Sequence, residues 1–131
     1  HMGGPFWARK DERAWSIPKG EHAPDEDALA AARREFAEEL GSAAPDGPYV
    51  DLGEERLPGG KRLRVWAVEA DLDPSTVVSN TFKLVWPPRS GRIQSFPEID
   101  RAAWFAPEVA RVKIVASQAV FLDRLAANLA R

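Results

Sequence analysis

The sequence predicts an α/β fold in which helices pack in layers on a mixed β-sheet, and three observations predict it. Residues 26–40 carry apolar positions at helical spacing, whereas residues 49–57 and 61–70 are strand-like runs separated by a turn-forming Pro58-Gly59-Gly60. Beyond residue 107 the pattern returns to helical. Helices that interrupt strands irregularly are the pattern of a layered sandwich. A chain of 131 residues with 44% apolar content suits one domain, spanning 1–131.

The elements follow in order. Residues 3–19 hold Gly3-Gly4-Pro5, the aromatic pair Phe6-Trp7, a charged turn and Trp15-Ser16-Ile17-Pro18, which read as loop and short strand. A helix is expected over 26–40, with Asp25 as N-cap after Pro24 and Gly41 just past its end. Its apolar stripe is Leu29, Ala32, Phe36 and Leu40. Leu63, Val65 and Ala67 alternate with Arg62, Arg64 and Trp66, so 49–57 and 61–70 form a hairpin. Residues 76–86 are β-branched and aromatic enough for a strand, stopped by Pro87-Pro88 before the basic loop Arg89-Ser90-Gly91-Arg92. A short strand is expected over 102–105, a short helix from Pro107, and a longer helix after Ser117 with Phe121, Leu122, Leu125 and Leu129 on its apolar stripe.

Composition excludes several classes. There is no cysteine, so disulfides and thiolate metal sites are absent, and with His1 and His22 alone a histidine-rich zinc site is not expected. A metal must then be held by oxygen. A formal net charge of −2 does not favour nucleic-acid binding, and no apolar run is long enough to cross a membrane. With no signal-peptide pattern, a cytoplasmic location is expected. His1-Met2 reads either as a tag remnant or as native residues of a chain that has lost its beginning.

The segment REFAEEL crowds Glu35, Glu38 and Glu39 on neighbouring helical turns, where like charges repel. At about 100° per residue they share an arc of about 100° beside the Leu29 and Phe36 stripe. A divalent cation would relieve the repulsion, and hard ions such as Mg²⁺ or Mn²⁺ prefer such all-oxygen sites. The alternative is a solvated acidic face balanced by Arg33 and Arg34.

The longer pattern decides more. Gly20, five residues, Glu26, seven residues, Arg34-Glu35-Phe36, one residue, Glu38-Glu39, one residue and Gly41 resembles the Nudix box of the Nudix hydrolase family at every charged and glycine position. Ser42 departs from it, standing where the family usually has an aliphatic residue. The resemblance implies a Nudix-type α/β/α sandwich and a metal-dependent hydrolase of a nucleoside diphosphate linked to another moiety. It implies Glu35, Glu38 and Glu39 as metal ligands, the Gly20 carbonyl as a further ligand, and Glu26 as an outlying acid. Arg34 would hold a glutamate of the box in place. Glu98, from a loop well after the box, and Glu38 are rival general bases.

The lead-in Trp15-Ser16-Ile17-Pro18-Lys19-Gly20 resembles the diadenosine polyphosphate hydrolase branch, where the lysine faces phosphate. A dinucleoside polyphosphate is therefore the first substrate expected. A nucleoside triphosphate or oxidised nucleotide is the rival, and a nucleotide-sensing domain without catalysis is the other alternative. Phe6, Trp7 and Trp15 are candidates to stack on a base, and Arg89 and Arg92 to clamp phosphate, against the plainer readings of core packing and exposed loop. Family members usually have a strand ahead of the aromatic loop, and nineteen residues precede Gly20 here. The sheet is thus expected to lack an N-terminal strand unless earlier residues supply it, which makes a homodimer or strand exchange an open expectation.

Overall fold

A computed structural model describes residues 1–130. Helix α1 spans Ala28–Leu40 and is followed by β1 (Tyr49–Arg56), β2 (Arg62–Val68), β3 (Thr81–Val85), β4 (Ile93–Pro97), α2 (Pro107–Lys113) and α3 (Ala119–Leu129). The α/β class expected from the sequence is the one observed. The strands pair as two antiparallel hairpins, β1 with β2 and β3 with β4. Outside the hairpins, an isolated parallel bridge joins Trp15 to Ile114 and an antiparallel one joins Met2 to Ile99.

Helix α1 starts later than expected because residues 23–26 close a turn, with the Glu26 N–H donating to the Ala23 carbonyl at 3.0 Å. Asp27, not Asp25, is therefore the N-cap, its carboxylate accepting from the Ala30 N–H at 3.0 Å. Gly41 ends the helix as expected, at φ 77°, and its N–H donates to the Ala37 carbonyl.

The β1–β2 hairpin turns through Gly59 and Gly60 and bulges at Leu52-Gly53, which together oppose Val65. Gly53 sits at φ 87°, and Arg124 of α3 presses against it while donating to the Leu52 carbonyl at 3.0 Å. That contact ties α3 to the sheet. Leu52, Val65 and Phe121 form the buried cluster, with Ile17, Val50, Leu63, Ala67, Val120 and Leu125 packed around it.

Two expected strands change. Residues 74–76 form a 3₁₀ turn capped by Asp73, so β3 begins only at Thr81, and 102–105 is not a strand. Strand β4 was not anticipated. Its residues are mostly exposed, and only Phe96 opposite Phe82 packs inward, so apolar alternation is nearly absent. Leu129 also departs from the expected stripe, being 74% exposed in the last turn of α3.

The first residues run antiparallel to 98–101. The Gly3 N–H donates to the Glu98 carbonyl at 2.9 Å, the Asp100 N–H to the His1 carbonyl at 3.1 Å, and the terminal amine to the Arg101 carbonyl at 2.6 Å. The buried His1 ring meets the Asp100 carboxylate at 2.9 Å through Nδ1 and the Lys10 carbonyl at 2.5 Å through Nε2.

Candidate active site

The site is built where α1 meets the loop before it and the chain that returns after its end. Gly20 lies against the Glu35 carboxylate so closely that a Cβ there would stand 2.0 Å from Cδ and 2.3 Å from each oxygen. Only glycine leaves room for that carboxylate. The neighbouring Lys19 N–H donates to Glu39 Oε2 at 2.8 Å, which joins the loop to the last turn of the helix.

Glu39 is 7% exposed. Burial pushes its carboxyl up to about 7, opposed in part by the Lys19 N–H and reinforced by the nearby charges of Glu35 and Glu98.

Arg34 gathers the remaining acids. Its guanidinium donates to Glu26 at 3.1 and 3.2 Å, to Glu35 at 2.9 Å, to Glu38 at 3.4 Å and to the Glu21 carbonyl at 3.4 Å. The hydrogen bonds to Glu26, followed by its charge and the contact with Glu35, hold the Arg34 pKa above its ordinary value. The same hydrogen bonds hold Glu26 below the usual carboxylate range. The repulsion among the crowded acids is reduced in two ways: Arg34 pairs with two of the three, sharing its single charge between them and Glu26, and Glu39 has a raised pKa. Among the described residues no three acidic or histidine side chains are already gathered in a metal-binding group, so the expected convergence of Glu35, Glu38 and Glu39 on one point is not preformed. The reason is that Glu35 and Glu38 turn toward Arg34.

The end of α1 is linked to Glu98 by main-chain hydrogen bonds. The Val78 N–H donates to the Leu40 carbonyl at 3.1 Å and the Asn80 N–H to the Glu38 carbonyl at 2.8 Å, satisfying helix-terminal acceptors. The Asn80 carbonyl in turn accepts from the Glu98 N–H at 2.9 Å. Sequence reasoning missed Asn80 and the Glu21 carbonyl. Both act through backbone atoms, so residue type carried no signal.

The candidate substrate residues divide. Lys19 is exposed at the site. Trp15 is occupied elsewhere: its Nε1–H donates to Asp11 at 2.9 Å, and its ring takes the edges of His1 and Phe105 and the Arg101 guanidinium. Phe6, 60% exposed, stands edge-on to Trp86, and Trp7 carries the Lys10 ammonium over its ring. Arg89 and Arg92 lie in the turn of the β3–β4 hairpin, whereas Glu98 follows its other end. Five residues of strand, about 17 Å, separate them from Glu98.

A family model described as NUDIX domain matches residues 5–125. The chain belongs to the Nudix family. No curated protein and no solved structure matches it. As a Nudix hydrolase it acts on phosphoric anhydride bonds of nucleoside diphosphate-linked substrates, a class of small nucleotides, and Nudix hydrolases generally use divalent metals such as Mg²⁺ or Mn²⁺. No helix among the described residues is long and apolar enough to cross a membrane.

Proposed function

We propose that this Nudix hydrolase cleaves a dinucleoside polyphosphate, using Mg²⁺ or Mn²⁺ held by Glu35, Glu38, Glu39 and the Gly20 carbonyl. The observation that carries this reading is the Lys19-Gly20 junction. One dipeptide contacts two of the three box glutamates, Glu39 through the Lys19 N–H and Glu35 through the close approach of Gly20, while the Lys19 side chain stays exposed for a phosphate chain.

The donor set fits a hard divalent ion: every group is oxygen, Glu39 is buried with a raised pKa, and Gly20 leaves its notch to a carboxylate. Such an ion neutralises phosphoryl oxygens and acidifies an attacking water. The chain's own residues do the rest. Lys19 offers a point charge to the polyphosphate. Arg34, anchored by Glu26, orients Glu35 and Glu38. Glu98 or Glu38 takes the proton of the water as its oxygen bonds to phosphorus and the bridging P–O bond breaks, and the leaving phosphate carries away the electron pair.

The test is product analysis by ion-exchange chromatography after incubation with diadenosine tetraphosphate, ATP, dGTP or ADP-ribose, with Mg²⁺ or EDTA, beside Glu38→Gln. Preferred, metal-dependent cleavage of the dinucleoside compound, lost in the variant, supports the reading. Preference for ATP or dGTP overturns the substrate and selects the nucleoside triphosphate alternative, and binding without turnover selects a sensor.

A further inference from the structure

The segment that leads into the Lys19-Gly20 junction is laid against residues 112–118 as a short parallel ladder. The Arg13 N–H donates to the Val112 carbonyl at 3.2 Å, the Trp15 N–H to the Lys113 carbonyl at 3.0 Å, and the Val115 N–H to the Trp15 carbonyl at 2.8 Å. In a continuing parallel ladder the next rung would run from the Ile17 N–H to the Val115 carbonyl. The chain instead closes a 3₁₀ turn over Ala116–Gln118, and the Gln118 N–H donates to the Val115 carbonyl at 2.9 Å. The Gln118 side chain supplies the acceptor that Ile17 then lacks: its Oε1 receives the Ile17 N–H at 3.1 Å. Its Nε2 donates to Ser16 Oγ at 2.9 Å, and Ser16 Oγ donates to the Ile17 carbonyl at 2.7 Å. One side-chain amide, on a residue 2% exposed, thus fixes the Ile17 N–H directly and the Ile17 carbonyl through Ser16.

We propose that Gln118 is a positioning residue of the active site, which sets where the Lys19-Gly20 junction stands over α1. Its leverage follows from what else holds that stretch. Pro18 has no N–H to donate, and the next main-chain donor is the Lys19 N–H, bonded to Glu39. Gln118 is therefore the anchor at which the loop leaves the ladder and turns toward the glutamates. Gly20 comes three residues after Ile17, so a shift at Ile17 carries into the notch that receives the Glu35 carboxylate. A buried amide is a costly way to fill space, because both of its polar ends need partners, and here both partners lie in the loop. The consequence for metal rests on the reading of the Gly20 carbonyl as a ligand. With Ile17 released, that carbonyl is no longer held beside Glu35 and Glu39, and the ion binds more weakly.

The test reads position first without metal and then with it. In EDTA, amide hydrogen exchange at Ile17 and Lys19 is compared with that of the β1 and β2 amides, which report global opening. Gln118→Leu, similar in size and without hydrogen-bonding atoms, should speed exchange at Ile17 and Lys19 by about tenfold beyond any change at the reference amides. Gln118→Glu keeps an acceptor for the Ile17 N–H and should stay within about threefold of the parent. Val120→Ala, which trims the core beside Phe121, should lower the melting temperature and leave the exchange ratio unchanged. In a Mg²⁺ titration of nucleotide turnover, the leucine variant should need about tenfold more Mg²⁺ for half-maximal rate, and the glutamate variant should restore the parent requirement. Should Gln118→Leu fail to fold, Gln118→Asn, one methylene shorter, is read in the same way. An unchanged exchange ratio in the leucine or asparagine variant overturns the proposal, as does a glutamate variant that exchanges as fast as the leucine one. Faster Lys19 exchange with an unchanged Mg²⁺ requirement supports the positioning role and overturns Gly20 as a metal ligand.

Discussion

Replacing Gly20 by alanine separates catalysis from folding. The added Cβ would stand 2.0 Å from Glu35 Cδ, where ordinary contact begins at 3.4 Å, so the carboxylate must withdraw by about 1.4 Å. A misplacement of about 1 Å at a reacting centre costs about 100-fold in rate, so kcat should fall by about two orders of magnitude. Stability should barely change. The obstructing atoms are the free end of a flexible side chain, and Gly20 is not among the glycines with positive φ, so alanine adopts its backbone and slightly restricts the unfolded chain. The assay is steady-state turnover of the preferred nucleotide at saturating Mg²⁺, beside thermal unfolding of the same preparation. A kcat within twofold of the parent would refute the reasoning, because Glu35 would then be dispensable where it stands. Activity and melting temperature falling together would refute it as well, since the loss would be one of fold.

Three further outcomes are expected. In EDTA, folded Glu39 keeps its proton until about pH 7 while the unfolded residue loses it near 4.5, so stability should fall as pH rises through that window. After discounting for solvent screening the fall is on the order of 1–2 kcal/mol, and Glu39→Gln should flatten it in urea unfolding from pH 4 to 8. Arg34→Lys replaces a fork that reaches four partners by a single ammonium, and should lower kcat about 10- to 100-fold and raise the Mg²⁺ concentration needed for half-maximal rate, read by metal titration. Gly41→Ala forces a left-handed residue and drives its Cβ to 2.5 Å from the Val78 carbonyl oxygen, so the urea midpoint should drop by the equivalent of about 2 kcal/mol or more.

The parts legible in sequence were those that side chains specify. Gly41 announced a helix end because only a residue tolerant of positive φ closes it so, and the Pro58-Gly59-Gly60 turn announced the first hairpin. The box glutamates were visible through charge, and Arg34 through its place beside them. Strand β4 was not visible, because a strand that turns only Phe96 inward has no apolar rhythm to read. The N-cap was misplaced by two residues because Asp25 and Asp27 are equal candidates until the turn at 23–26 chooses between them. Trp15 drew attention as a stacking surface, yet its ring holds His1, Phe105 and Arg101 together, contacts that span the chain and leave no local trace.

Asn80 connects the glutamate-bearing helix to Glu98 with its amide on one side and its carbonyl on the other. Any amino acid except proline owns both groups. The spacing between the two halves of the site is therefore insulated from mutational drift at this position: eighteen replacements keep the joint intact, and the one imino acid would cut it. A saturation library at position 80 should accordingly show a flat activity profile with a single hole.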